Sequence, residues 1–224
     1  LLGSIGEAKV TRRLGNTELD IKLEGMKPAL SFGGDFNTFV LWTISPEGLA
    51  FNTGEFVLRG AKSELKATTP LMTFAIFVTA EPHLLVKHPS GLFVLMNTED
   101  GLAEKKGVTT ARFEYSNITT GYAYKIDRLT EIPPTDGTLR TERYQALLAV
   151  ALARKVDASR YAPEEFARAQ AALEETQQGF KQGMEEKRLT ATAQQAIRSA
   201  VVARQLAEER AAREALDAER RAAR

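Results

Sequence analysis

Between residues 139 and 140 the chain changes character, and that break limits what it can fold into. Residues 140–224 hold one proline and two glycines and are packed with Ala, Glu, Arg and Gln. Such a composition favours helix, because these side chains lose little rotamer freedom there. Residues 1–139 read the opposite way, as short Val/Ile/Phe/Thr stretches punctuated by Gly, Pro and Asn. That pattern belongs to strands joined by tight turns. The expected fold class is therefore mixed and segregated, all-β then all-α: an antiparallel β-sandwich followed by a long helical hairpin or coiled-coil arm.

The β half carries its signals at short intervals. Leu19, Ile21 and Leu23 alternate with Asp20, Lys22 and Glu24, a strand with one buried face. Residues 38–44 (TFVLWTI) are apolar on both faces and predict a central strand, and 56–58, 72–78 and 92–96 read the same way. Turn signals fall between them at Gly15-Asn16, Gly33-Gly34, Pro46-Glu47-Gly48, Arg59-Gly60 and Pro89-Ser90-Gly91. A small barrel is the alternative to the sandwich. Residues 98–107 are polar, and 111–116 with 122–126 suit a hairpin. We place the β domain at 1–131, its pattern weakest over 98–131. A stiff Pro-rich linker follows at 132–138, and the helical domain covers 139–224.

Three helices are expected beyond the linker. The first spans about 139–156 and is broken at Asp157-Ala158-Ser159-Arg160. The second opens with Pro163 at its first position, with Glu164 and Glu165 against the positive end of the dipole. Tyr161 and Phe166 are spaced for a hydrophobic staple. Gly179 and Gly183 mark its end, and the third helix runs from about 184–189 to the end of the chain. A seam at 3-4 spacing predicts a helix–helix interface through Phe166, Ala169, Leu173 and Phe180 on one helix and Leu189, Ala193, Ala196, Ala200, Ala203 and Ala207 on the other. Ala211, Ala215, Ala218 and Ala222 continue a small-residue stripe in a shifted register.

Composition also narrows the chemistry. Residues 1–139 hold 14 basic and 16 acidic side chains, a net of −2, whereas 140–224 hold 16 and 13, a net of +3. Neither half has the basic excess of a nucleic-acid binder, and acids interleave with the terminal arginines. With no cysteine there is no disulfide, thiol nucleophile or Cys-zinc site. No apolar stretch approaches the roughly 20 residues that span a bilayer, so no transmembrane segment is expected. The chain opens Leu-Leu-Gly rather than with Met, which predicts a processed or partial product.

Candidate reactive groups are few. His83 and His88 are the two histidines, and five positions apart in an extended segment they point to opposite faces. We expect surface or loop histidines rather than a metal site. Ser45 or Ser90, His83 and Glu81 make a nucleophilic triad only on paper, since no nucleophile-elbow pattern surrounds either serine. Glu81-Pro82 and Pro89-Ser90 flank residues 84–86, either as a binding loop or, the reading we prefer, as a strand edge guarded by prolines. Trp42 reads as a core residue rather than a ligand platform. The paired glutamates of the helices diverge by about 100° and read as solvated faces. Phe113, Tyr115, Tyr122 and Tyr124 are the candidates for a carbohydrate-binding face. No catalytic residue, cofactor or metal is expected.

Residues 38–48 (TFVLWTISPEG), 69–82 (TPLMTFAIFVTAEP) and 89–95 (PSGLFVL) resemble an N-terminal β-sandwich domain of OmpA-family envelope proteins from acidobacteria-type bacteria. The stretch from Ile132-Pro133-Pro134 through residues 161–166 (YAPEEF) into the Ala-rich helix is similar to the helical domain of unknown function that follows it. In that family the arm leads into an OmpA-like peptidoglycan-binding domain, whose ligand-holding Asp and Arg have no counterpart here. The resemblance implies a secreted, periplasmic or outer-membrane-associated protein that is not an enzyme. Its implied role is a structural or tethering one in the cell envelope, with a β-sandwich interaction head on a helical spacer. Expected partners are other envelope proteins, or a second copy through the helical arm, with peptidoglycan reached only through a domain beyond residue 224. The alternatives are a self-associating subunit of a periplasmic or extracellular assembly, and a carbohydrate-binding module.

Overall fold

The computed structural model describes residues 3–33, 35–98, 103–105, 108–115 and 141–223, with side chains described through residue 98 and again from 141. The chain divides into two compact units, residues 1–128 and 129–224. Strands come first and helices second, so the segregated all-β then all-α class holds.

Among the described residues nine strands build the first unit: β1 (Ile5–Arg13), β2 (Asn16–Glu24), β3 (Thr38–Ile44), β4 (Ala50–Phe56), β5 (Ser63–Thr69), β6 (Ala75–Glu81), β7 (Phe93–Asn97), β8 (Ala103–Lys105) and β9 (Val108–Tyr115). All pairs are antiparallel, in the order β4-β3-β6-β7-β9-β1-β2-β5, with β8 alongside β9. The two ends of this path share one core. Ala8, Val10, Leu19, Ile21 and Leu23 from β1 and β2 pack with Phe39, Leu41, Phe56, Ile76, Val78 and Ala80 from β3, β4 and β6. That is a sandwich's inner layer, filled by every second residue of each strand.

The solvent face of β1, β2 and β5 explains their register. Inward pairs Val10↔Leu19 and Ala8↔Ile21 alternate with outward pairs Lys9↔Asp20 and Glu7↔Lys22. β5 continues the pattern, with Lys22–Glu64 at 3.2 Å and Lys66–Asp20 at 4.0 Å. These exposed pairs add little stability, but a one-residue slip would set charges against the core. Gly25 closes the β2 end at φ +69°; a Cβ there would lie 2.5 Å from the Gly3 carbonyl oxygen.

β3 and β6 differ from those strands in being buried on both faces. The central strand read from residues 38–44 is therefore where it was expected. Other boundaries move. The strand expected over 56–58 is Ala50–Phe56, and Val57 is exposed; the one expected from residue 72 begins at Ala75. The expected hairpin contributes β9, which pairs with β1, β7 and β8, while residues 122–126 and the linker 132–138 lie outside the described residues.

The second unit contains α1 (Thr141–Lys155), α2 (Ala158–Tyr161), α3 (Pro163–Lys181) and α4 (Glu186–Ala222). Asp157 breaks the first helix by taking the left-handed conformation, φ 56° and ψ 42°. The residues after it then form one further helical turn rather than a simple gap. Pro163 opens α3 as its sequence predicts, and Gly183 at φ +71° ends the α3–α4 turn. α4 spans 37 residues, about 55 Å at 1.5 Å per residue. It packs against both α1 and α3. Its buried stripe includes Ile197, which the expected seam omits.

Candidate functional site

Alternation along β6 puts Ile76, Val78 and Ala80 into the inner core and Phe77, Thr79 and Glu81 on the opposite face. On that second face Val40, Trp42 and Phe77 form a separate apolar cluster, joined by Ile44, Ala50, Val86, Phe93 and Met96. Trp42 and Phe77 stack at 6.4 Å between centroids, and Phe77 meets Phe93 at 4.8 Å. A sheet face carrying an indole and two phenyl rings needs a cover. Residues 82–92 fold back as a strap, with Val86 packed on the cluster.

Among the described contacts, polar groups fasten the strap at its start, middle and end. Asn52 donates its amide to the carbonyls of both Leu84 and Val86, each at 2.9 Å. A β-bulge aims it there: Leu41 pairs with Gly54, but Trp42 pairs with Asn52, so Thr53 is the extra residue. The bulge places Asn52 opposite Trp42, at the strap. At the strap's start, Asn37 donates its side-chain amide to the Pro82 carbonyl at 3.3 Å and its backbone N–H to the Glu81 carbonyl at 2.8 Å. At its end, Ser90 donates its hydroxyl to the Ala80 carbonyl at 2.7 Å and its backbone N–H to the Glu81 carboxyl at 2.7 Å.

Glu81 is thus the centre of a buried chain of hydrogen bonds. The Trp42 indole N–H donates to Thr79 Oγ1 at 2.8 Å, and the Thr79 hydroxyl donates to Glu81 Oε1. Glu81 is 1% exposed. Burial pushes its carboxyl up to about 7, against the opposing pull of hydrogen bonds from Thr79 and Ser90.

This arrangement refines one expectation and corrects another. Both histidines lie in the loop that forms the strap, as expected, but His83 is buried, 3% exposed, while His88 is exposed. The stretch is not a strand edge guarded by prolines, because β6 lies inside the sheet between β3 and β7 and residues 82–92 cross over its face. Of the paper triad, Ser90 and Glu81 do meet, with the serine's backbone N–H donating to the carboxyl at 2.7 Å and its side chain beside the same carboxyl. Its hydroxyl donates to the Ala80 carbonyl at 2.7 Å, which ties the serine to β6. Ser45 belongs elsewhere, in the turn before β4, where it hydrogen-bonds Leu49. Among the described residues no three His, Asp or Glu side chains gather as a metal site. The side chains of Phe113, Tyr115, Tyr122 and Tyr124 lie outside the described residues.

The predicted helix seam falls as follows. Phe166, Ala169, Leu189, Ala193, Ala196, Ala200, Ala203 and Ala207 are buried, and Leu173 and Phe180 are half-buried. Thr176 bridges the two helices by donating to Thr192 Oγ1 at 3.2 Å. From Glu208 to Ala223 no residue is buried, and Leu216 is 46% exposed. One tie reaches this stretch from α2. Arg160 donates to both oxygens of Glu214, at 2.9 and 3.1 Å, and Tyr161 donates to the same carboxylate at 2.7 Å. Arg210 returns a hydrogen bond to the Tyr161 carbonyl. Among the described residues no helix is long and apolar enough to cross a membrane.

Sequence could have flagged Glu81 as a carboxylate closing an otherwise apolar run, AIFVTAE, with a proline behind it. Asn52 gave no such signal, because its role depends on a bulge. No protein-family model, curated protein or solved structure matches the chain.

Proposed function

We propose that the chain is a non-enzymatic structural or tethering protein of the cell envelope, with a β-sandwich interaction head and a helical spacer. The observation that carries this reading is α4. It continues for about four turns past its buried seam, as a mixed-charge, Ala-lined helix whose described side chains are all at least partly exposed. A helix that outruns its own packing serves as a spacer or as a docking element rather than as core. The commitment of Ser90 and Glu81 to holding the strap also favours a non-catalytic role for this buried polar cluster. The envelope assignment rests on the sequence resemblance, as does a route to peptidoglycan through a further domain.

The test is fractionation of the native host expressing an epitope-tagged full-length gene, together with sedimentation of the purified chain with isolated peptidoglycan. Recovery in the envelope fraction, with the chain alone staying in the supernatant, is the expected result. Recovery in the cytosol overturns the reading. A second reading, self-association, draws on the exposed Leu216 within the stripe of Ala211, Ala215, Ala218 and Ala222. Sedimentation velocity across a hundredfold concentration range decides it: a monomer throughout removes it.

A further inference from the structure

We propose that residues 82–92 form a strap that lifts from Trp42 and Phe77 and re-seats as a unit, with the buried Glu81 carboxyl as its latch. The geometry supports a unit rather than a frayed loop. Residues 82–91 are turn and bend rather than strand, and the fastenings described lie at the strap's start, middle and end: Asn37, Asn52, the Glu81–Ser90 pair, and the Leu92 carbonyl, which accepts the Ala80 N–H at 3.2 Å. Among the described backbone bonds, its release costs β6 the one from the Ala80 N–H to the Leu92 carbonyl. β3 and β6 keep their full pairing with each other and with β4 and β7. Lifting the strap therefore uncovers an aromatic face without dismantling the sheet.

The latch responds to pH because of where the carboxyl sits. Protonated, Glu81 accepts from Thr79 and Ser90 at little cost; ionised, it is a charge in a nearly dry site. Burial holds it near 7 when the strap is closed, and hydration returns it toward 4.5 when the strap is open. Opening then becomes about tenfold more favourable per pH unit across roughly 5 to 7, and levels off above. Other titratable groups on the surrounding elements are His83, Lys87 and His88 in the strap, Glu55 on β4, which accepts the Thr38 hydroxyl at 2.6 Å, and Asp35 before β3. β7 contributes none.

Hydrogen exchange followed by mass spectrometry between pH 5 and 8 tests the strap directly. The rate for residues 82–92 is corrected for the intrinsic pH dependence of amide exchange. The corrected rate is expected to rise about tenfold per pH unit up to about 7, while residues 38–44 keep their protection. Glu81→Gln, which mimics the protonated acid, flattens that rise, and the variants Glu55→Gln and His83→Gln/His88→Gln leave it in place. Asn52→Ala removes one fastening and raises strap exchange at every pH, which keeps the test decisive should Glu81→Gln fail to fold. A flat corrected rate in the native chain overturns the proposal. So does a rise that survives Glu81→Gln or is lost with the histidines, strap exchange unchanged by Asn52→Ala, or exchange of 38–44 in step with 82–92.

Discussion

Trp42 and Thr79 are diagonal neighbours on adjacent strands, and the indole N–H of the first reaches the hydroxyl of the second at 2.8 Å. Trp42 pairs directly with Phe77, which offers no acceptor, so the donor is satisfied two positions along β6. The same hydroxyl then donates to Glu81. One threonine thus serves two buried partners, the Trp42 indole and the Glu81 carboxyl.

Thr79→Val tests that dual role, since valine keeps the shape and removes the hydroxyl. It strands the Trp42 N–H and takes a donor from Glu81, at a cost of about 2 kcal/mol. Urea denaturation at pH 6 measures it. In a Trp42→Phe background, where the indole donor is already gone, the same substitution costs less. Equal costs in the two backgrounds would show that the pair is not coupled.

Glu81 sets the sign of the pH dependence. Its folded value of about 7 lies above the ordinary 4.5, so the folded state holds the proton more tightly than the unfolded chain. The associated stability is fully present below about 4.5 and is lost as pH rises through about 7, with no further change above. At 1.36 kcal/mol per unit the full span is on the order of 3 kcal/mol. Glu81→Gln removes this dependence: the variant matches the native chain near pH 4.5 and exceeds it at pH 8. Chemical denaturation at both pH values checks the crossing, and a native chain more stable at pH 8 than its Gln variant contradicts it.

The parts of the fold legible in the sequence are those where one local period carries the message. Leu19, Ile21 and Leu23 announce a one-sided strand, residues 38–44 a strand buried twice, and Pro163 with Glu164 and Glu165 a helix start. β5 gives no such signal and β4 gives it only at Phe56, because they end the sheet path and AFNTGEF and SELKATT carry few apolar residues to count. The latch was illegible for another reason. Glu81 and Ser90 are ordinary residues until residues 82–92 turn back over Trp42, and nothing in the period of β6 says that they will. The helix seam was written as a single stripe because a hairpin needs only one. Ile197 is buried because α4 meets α1 and α3 together, and a long-range choice of that kind leaves no trace in spacing.

Asp157 is the one non-glycine at positive φ among the described residues, and its side chain accepts a hydrogen bond from Ser159 Oγ at 3.1 Å. Aspartate tolerates this conformation better than most residues, and alanine does not. Asp157→Ala therefore lowers the thermal midpoint, at a cost of about 1 kcal/mol, whereas Asp157→Gly stays within about 0.5 kcal/mol of the native chain. Thermal melts followed by circular dichroism at 222 nm separate the two. Equal losses for both would place the cost in the Ser159 contact rather than in the backbone.

The alanine seam permits a sharper test than an ordinary core, because its small side chains set how closely the helices approach. Ala200 is fully buried on α4, and two positions away Val202 is 49% exposed. Ala200→Leu adds three carbons where the neighbouring backbones leave little room, and costs about 2 kcal/mol. Val202→Ala removes two carbons facing water and changes stability by less than about 0.5 kcal/mol. Urea titrations of both variants give the comparison. If Ala200→Leu were neutral, the helices would be free to move apart at that level, and a close-packed seam could not describe α4. A large loss at Val202 would instead mean that something covers the face the structure leaves open.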